Sequence, residues 1–223
     1  MSSDRPLVSI DFFADLTCPW CYVAWGAMKK AATESPAVTC NMRWRAFLLY
    51  PQMPTGGIGR AEFYSKANGF DPEQLALVRP ALQEAAAEAQ VTLNLDAPHH
   101  LPSTLDAHRL IHWAAAAGEG EAAIDALFEA YWIHGQDIGD QAILATLAKQ
   151  IGFDPAQAKA LFETIADIDV IQDQHRAAMQ VGLKGVPAAV FNNKAILMGA
   201  ESSQAYAKAI ADFAEALAAP PMF

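Results

Sequence analysis

The sequence predicts an α/β fold in which a β-α-β unit and a later β-β-α unit share one sheet layer, with a long helical insertion between them. Three observations lead there. Residues 7–13 (Leu-Val-Ser-Ile-Asp-Phe-Phe) and Val38 to Phe47 carry strand-type sequence on either side of a helical stretch. Residues 60–182 change to Ala, Leu, Glu and Gln at helical spacing. From Lys184 the chain returns to short β segments and ends on an amphipathic helix.

The first strand, 7–13, leaves through Ala14-Asp15-Leu16. Thr17 suits an N-cap, and Pro19 is tolerated in a first helical turn because the N–H it lacks would be unpaired there. The helix runs through Val23, Trp25 and Met28 to about Thr33, and Ser35-Pro36 stops it. In the second strand Val38, Cys40, Met42 and Trp44 fall on one side, Asn41, Arg43 and Arg45 on the other. Leu48 to Gly59 is turn-rich, with Pro51, Pro54 and Gly56-Gly57.

Helices are expected over Arg60 to Asn68, Pro72 to Gln90, Ser103 to Ala117, Glu119 to His134, Asp140 to Gln150, and Pro155 to Gly182 with a break near Ala166. Asp71-Pro72 and Asp154-Pro155 mark starts, while Gly118, Gly135, Gly152 and Gly182 mark ends. Beyond them, Ala188 to Phe191 and Ala195 to Met198 flank Asn192-Asn193-Lys194, a hairpin turn. Ser202 or Ser203 caps a last helix, Gln204 to Leu217, and Pro220-Pro221 cannot continue it. The expected organisation is one discontinuous sheet domain, 1–59 with 183–223, around an inserted helical domain, 60–182, that does not fold alone.

Over 223 residues, 53% are hydrophobic and 18% charged, the composition of a globular chain with a substantial core. No apolar run reaches bilayer length. The formal charge of −10 repels phosphate backbones and anionic lipid, so neither nucleic acid nor membrane is an expected partner. Met1 to Pro6 has neither a basic n-region nor an apolar h-region, which leads us to expect a cytoplasmic protein. Three cysteines, Cys18, Cys21 and Cys40, are too few for a disulfide scaffold.

Chemistry concentrates in Thr17-Cys18-Pro19-Trp20-Cys21, where strand runs into helix. A zinc site needs about four ligands, and beyond the pair only Cys40 and His99-His100 are on offer. Covalent haem attachment needs His after the second cysteine, where Tyr22 stands. A dithiol/disulfide couple needs only two sulfurs able to bridge, one open to attack, and this is the reading we adopt. Cys18, nearest the helix terminus, is the expected attacking thiolate, stabilised by first-turn N–H groups, and the more buried Cys21 resolves the mixed disulfide. Trp20 supplies no group to hold a thiolate and reads as a hydrophobic lip for unfolded peptide.

A second signal lies far along the chain. Gly185-Val186-Pro187 puts a proline immediately before a strand, where an X-Pro bond can be cis. CPWC after a βα entry, an interposed helical block, and Gly-Val-Pro opening a hairpin resemble the DsbA family of thioredoxin-like proteins. Thr17 to Tyr22, Thr104 to Leu110 (Thr-Leu-Asp-Ala-His-Arg-Leu), Gly135-Gln136-Asp137-Ile138, and Gly185 to Pro187 with Gly199-Ala200 look like its FrnE-like branch. The resemblance spans nearly the whole chain. It implies a thioredoxin fold interrupted by a helical domain, with Pro187 cis against the Cys18–Cys21 pair and the Val186 backbone bonding an extended substrate. Pro19 and Trp20 would join Val186 in contacting substrate. Departures lie at Ser103, where an Asn is expected, and at Ala188-Ala189 in place of Thr-Phe.

The implied function is a thiol-disulfide oxidoreductase acting through mixed disulfides on protein or small-molecule thiols and disulfides. The reductase or isomerase direction is favoured by a reducing compartment. No bound metal or organic cofactor is implied; glutathione is the small-molecule redox partner. The alternative, on the same fold, is a glutathione-dependent 2-hydroxychromene-2-carboxylate isomerase or kappa-class glutathione transferase. Those activate glutathione from a Ser at the position of Cys18 and need no thiol at Cys21. A chaperone binding peptide through the helical lobe would act without either thiol.

Four further residues carry expectations. His108 lies on an inserted helix that could overhang the sulfurs and is placed in substrate contact. Cys40 reads as an inert core thiol on the apolar strand face. Arg43 and Arg45 read as a solvated face, on which either could attract a glutathione carboxylate.

Overall fold

Alternate residues of Leu7–Ala14 (β1) turn into the core, with Val8, Ile10, Phe12 and Ala14 fully buried. This strand is interior to a four-stranded sheet of order β2-β1-β5-β6, in the computed structural model, which describes residues 5–66 and 72–218. The chain runs from β1 through α1 (Pro19–Thr33) to β2 (Thr39–Ala46), which pairs parallel to β1 with Ile10 opposite Met42. Then come β3 (Ile58–Gly59), α2 (Arg60–Lys66), α3 (Pro72–Glu88), β4 (His100–Leu101), α4 (Leu105–Ala116), α5 (Gly120–Trp132), α6 (Gln141–Gln150), α7 (Pro155–Phe162) and α8 (Ile168–Gln180). The hairpin β5 (Ala188–Phe191) and β6 (Ala195–Met198) and the helix α9 (Ser203–Ala218) complete the chain. β5 lies antiparallel to β1, with Phe191 opposite Ile10.

Most element ends follow local chemistry. Asp140 and Asp154 accept hydrogen bonds from the N–H groups of Ala142 and Ala156, capping α6 and α7. Asp167, at φ 60°, makes the break between α7 and α8. Asn192 and Asn193, at φ 48° and 56°, lead the three-residue hairpin turn that Lys194 completes. Gly135 ends its helix at φ 64°, and a Cβ there would stand 2.2 Å from the Ala97 carbonyl oxygen, so only glycine fits. Of the two candidate serines Ser202 caps α9, accepting from Ala205 N–H, while Ser203 donates to Glu88. Expectations at Met1 to Asp4, Asn68, Asp71 and Pro220-Pro221 lie outside the described residues.

Two points correct the reading from sequence. The stretch 60–182 is not all helical: its β4 pairs with β3, just ahead of that stretch, in a two-stranded ladder, Ile58 opposite Leu101 and Gly59 opposite His100. Strands of two residues carry no alternation to read. Nor is the face of β2 bearing Arg43 and Arg45 merely solvated, because both guanidiniums donate to the buried Asp11 carboxylate, at 2.7 and 2.6 Å.

The core is continuous from sheet to insertion. Phe12 meets Trp25 of α1 and Trp44 of β2 with ring centroids 5.5 and 6.1 Å apart, and Trp44 in turn meets Phe128 of α5. Tyr206 and Ile210 of α9 join the same cluster as Leu110, Tyr131 and Trp132 of the insertion. Each large apolar side chain buried this way contributes about 1.5–3 kcal/mol. Among the described residues no helix is long and apolar enough to cross a membrane.

Candidate active site

The turn between β1 and α1 is built around Asp15, which is 1% exposed. Its Oδ1 accepts from the Thr17 N–H at 2.8 Å and from Thr17 Oγ1 at 2.7 Å, and its carbonyl accepts from the Cys18 N–H at 3.2 Å. Thr17 is therefore not the N-cap expected from sequence. Its backbone N–H closes an Asx-type turn on the Asp15 carboxylate, its hydroxyl donates to the same oxygen, and Cys18 takes the cap position with extended backbone, φ −90° and ψ 115°. Pro19 follows as the first helical residue.

This places the sulfurs unequally. Cys18 retains 8% of its surface, Cys21 none. The Cys18 carbonyl accepts from the Cys21 N–H at 3.1 Å, so Cys21 lies one turn inside. Burial pushes the Cys21 thiol well above its ordinary range; its hydrogen bond with Cys18 and the Cys18 charge act in the same direction, a backbone hydrogen bond with Asp15 acts against them, and the Asp15 charge adds the smallest upward push. Trp20 is half-buried against the core edge.

The Val186–Pro187 bond is cis, and the Val186 carbonyl faces the sulfurs: Cys18 Sγ donates to it at 3.8 Å. Cys18, Cys21 and Val186-Pro187 are thus brought together, with Pro19 and Trp20 beside them on α1. Two cavities, of about 580 and 530 Å³, run along α1 and along β2, and neither is lined by a cysteine.

His108 does not reach this site. It is 1% exposed; its Nδ1 accepts from Trp44 Nε1 at 3.0 Å, and its Nε2 is enclosed. Neither nitrogen is accessible to a substrate, and burial pushes the imidazole down to about 4. The substrate contact expected from sequence is corrected accordingly: helical periodicity gave the residue's helix but not which way it faced. Cys40 is half-exposed on β2, opposite Val8, its thiol pushed up by burial.

Asp15 escaped the sequence reading, although an Asp two residues before a Thr in a strand-to-helix turn is the pattern of an Asx-turn. The insertion also reaches the site. Trp132 Nε1 donates to the Leu16 carbonyl at 2.9 Å, and Thr104 Oγ1 to Asp15 Oδ2 at 3.2 Å. Tyr50, whose ring meets Phe63 at 4.8 Å, is pushed up to about 12 by burial, with the charges of Tyr64, Asp15 and Cys18 acting the same way. Among the described residues no group of three or more His, Cys, Asp or Glu side chains is placed to hold a metal ion.

Known proteins share this architecture. A probable DsbA oxidoreductase from Streptomyces coelicolor is 25% identical and superposes with a TM-score of 0.86 over 97% of this chain and 93% of its own. A 2-hydroxychromene-2-carboxylate isomerase, 18% identical, superposes with a TM-score of 0.71 over 94% of this chain and 98% of its own. The cytosolic disulfide reductase DsbM from Pseudomonas aeruginosa, in a structure with GSH, is 18% identical with a TM-score of 0.63, covering 94% and 97%. The last two likenesses are of fold alone. The DSBA-like thioredoxin domain family model matches residues 9–211, in keeping with the CxxC pair, the cis Val186–Pro187 bond and the sheet order, and the chain belongs to that family.

Proposed function

We propose that the protein is a thiol-disulfide oxidoreductase of the FrnE-like branch, working in the reductase or isomerase direction on protein or small-molecule disulfides. The observation that carries this reading is the asymmetry of the pair: Cys18 at the helix cap opposite the Val186 carbonyl, Cys21 closed in behind it. Cys18 thiolate attacks one sulfur of a substrate disulfide, forming a Cys18–substrate bond and releasing one substrate thiolate, which takes up a proton. Cys21 then gives up its proton and attacks the Cys18 sulfur, closing the Cys18–Cys21 bond and expelling the second substrate thiol. Two electrons and two protons leave the dithiol for the substrate.

Val186-Pro187 forms the edge on which an extended segment docks, with Pro19 and Trp20 as its apolar lip. Regeneration takes two equivalents of a small thiol. The structure of DsbM with GSH supports glutathione in that role, and its cytosolic designation supports a cytosolic setting. The chemistry calls for no metal or organic cofactor. The likeness to 2-hydroxychromene-2-carboxylate isomerase does not favour the glutathione-dependent isomerase alternative, because that chemistry has no use for the second thiol at Cys21.

Reduction of insulin by glutathione, with the Cys18→Ser variant as control, tests the reading. Accelerated reduction that disappears in the variant supports it. Equal activity in the variant, or tight glutathione binding without any mixed disulfide, overturns it.

A further inference from the structure

Behind the two sulfurs, Asp15 joins three parts of the chain. Two of its four donors come from Thr17 in its own turn. The third is the N–H of Leu49, beyond β2, at 2.8 Å from Oδ2, and the fourth is the hydroxyl of Thr104, where α4 of the insertion begins. Thr104 occupies the N-cap of α4 yet makes no side-chain cap bond to it; its hydroxyl serves Asp15 instead. Each carboxylate oxygen thus faces a backbone N–H, a group that can only donate, which complements a carboxylate rather than a carboxylic acid.

The Arg60 charge opposes that of Asp15 at Tyr50 and Tyr131 but does not pair with it. Among the described residues no ion pair includes Asp15, and Arg43 and Arg45 both turn to Asp11. The titratable groups on which its field acts include Cys21, Tyr50, His108, Tyr131 and His175. Burial pushes both tyrosines up and both histidines down, so none of them carries positive charge at neutral pH.

A fixed, buried negative charge disfavours a second one on a nearby sulfur. A couple whose thiolate is disfavoured has a less stable dithiol form, and so yields its electrons more readily. We propose that Asp15 is the positioning residue that sets the poise of the Cys18–Cys21 couple: a buried anion held by hydrogen bonds rather than by an ion pair, which fixes the turn before Cys18 and drives the pair toward the reducing side. The inference rests on the reading of the two thiols as a cycling pair and adds to it the direction of flow.

The test is the equilibrium of the full chain with glutathione. Two thiol protons and two electrons pass from Cys18 and Cys21 to glutathione disulfide, leaving a protein disulfide and two glutathione thiols. The oxidised fraction is read by trapping in glutathione buffers at pH 7 and at pH 9, where ordinary thiols are ionised. In Asp15→Asn the equilibrium moves toward the dithiol by about tenfold, equivalent to about 30 mV. In Thr104→Val, which withdraws one donor and leaves the charge less compensated, it moves toward the disulfide by about twofold or more.

Opposite shifts support the proposal, because loosening of the turn alone would move both variants the same way. Shifts in the same direction, or an Asp15→Asn equilibrium within about twofold of the parent, overturn it. Should Asp15→Asn not fold, Thr104→Val decides alone: an unchanged equilibrium or a shift toward the dithiol overturns the proposal. A parent chain forming no Cys18–Cys21 disulfide in any glutathione buffer overturns the functional reading itself.

Discussion

The Cys18 sulfur and the Val186 carbonyl oxygen lie 3.8 Å apart, although 168 positions separate the two residues. The whole insertion intervenes, and the sheet closes the distance because β1 and β5 are neighbours, with Phe13 opposite Ala188. One strand end delivers the sulfur and the adjoining one the Val186 carbonyl.

The unequal burial of the pair predicts unequal reactivity. With the reduced protein under native conditions, iodoacetamide modifies Cys18 at least about tenfold faster than Cys21, as peptide mapping by mass spectrometry will show. In Cys21→Ser, oxidised glutathione leaves a stable adduct on Cys18, seen in the intact mass without reductant. An adduct mapping to Cys40 would count against the assignment.

His108 predicts an acid-sensitive fold. Burial holds its folded pKa at about 4, below the unfolded value of about 6.5, so between those values the unfolded chain binds a proton the folded chain does not. Stability is full above about pH 6.5 and falls as the pH drops toward 4, by about 3 kcal/mol from this group. His175, also pushed down by burial, acts in the same direction. Urea unfolding at pH 7 and pH 4.5 checks this: His108→Gln should show a smaller loss than the parent.

Trp132 links the insertion to the redox turn through its hydrogen bond to the buried Leu16 carbonyl. Trp132→Phe leaves that carbonyl without its partner, and about 1–3 kcal/mol of unfolding free energy should be lost in urea titration. A variant as stable as the parent would show that the link contributes little.

Cys40 predicts the opposite kind of result. Its thiol is pushed up by burial and it pairs in register with Val8, away from the docking edge. Insulin reduction by Cys40→Ser should stay within about twofold of the parent, since a thiol with little thiolate is a poor nucleophile.

Much of this was legible beforehand where the signal is local. The CxxC spacing, the Asn192-Asn193-Lys194 turn, the helix start at Asp154-Pro155 and the break near Ala166 each depend on a few consecutive residues, and each stands where the sequence places it. Thr17 and His108 were misread for one reason. Their side chains had competing partners, Asp15 and Trp44, and nothing in the local pattern ranks those partners.

Periodicity and spacing are short-range properties, so they dictated the strands, the helices and the dithiol. Packing dictated the surroundings of the sulfurs: the Val186 carbonyl opposite Cys18, Trp132 on Leu16, and the donors from Leu49 and Thr104 on Asp15. Those contacts join residues 34 to 168 positions apart, and no repeat in the chain encodes them. They arise only when the sheet and the inserted helices bury one continuous core.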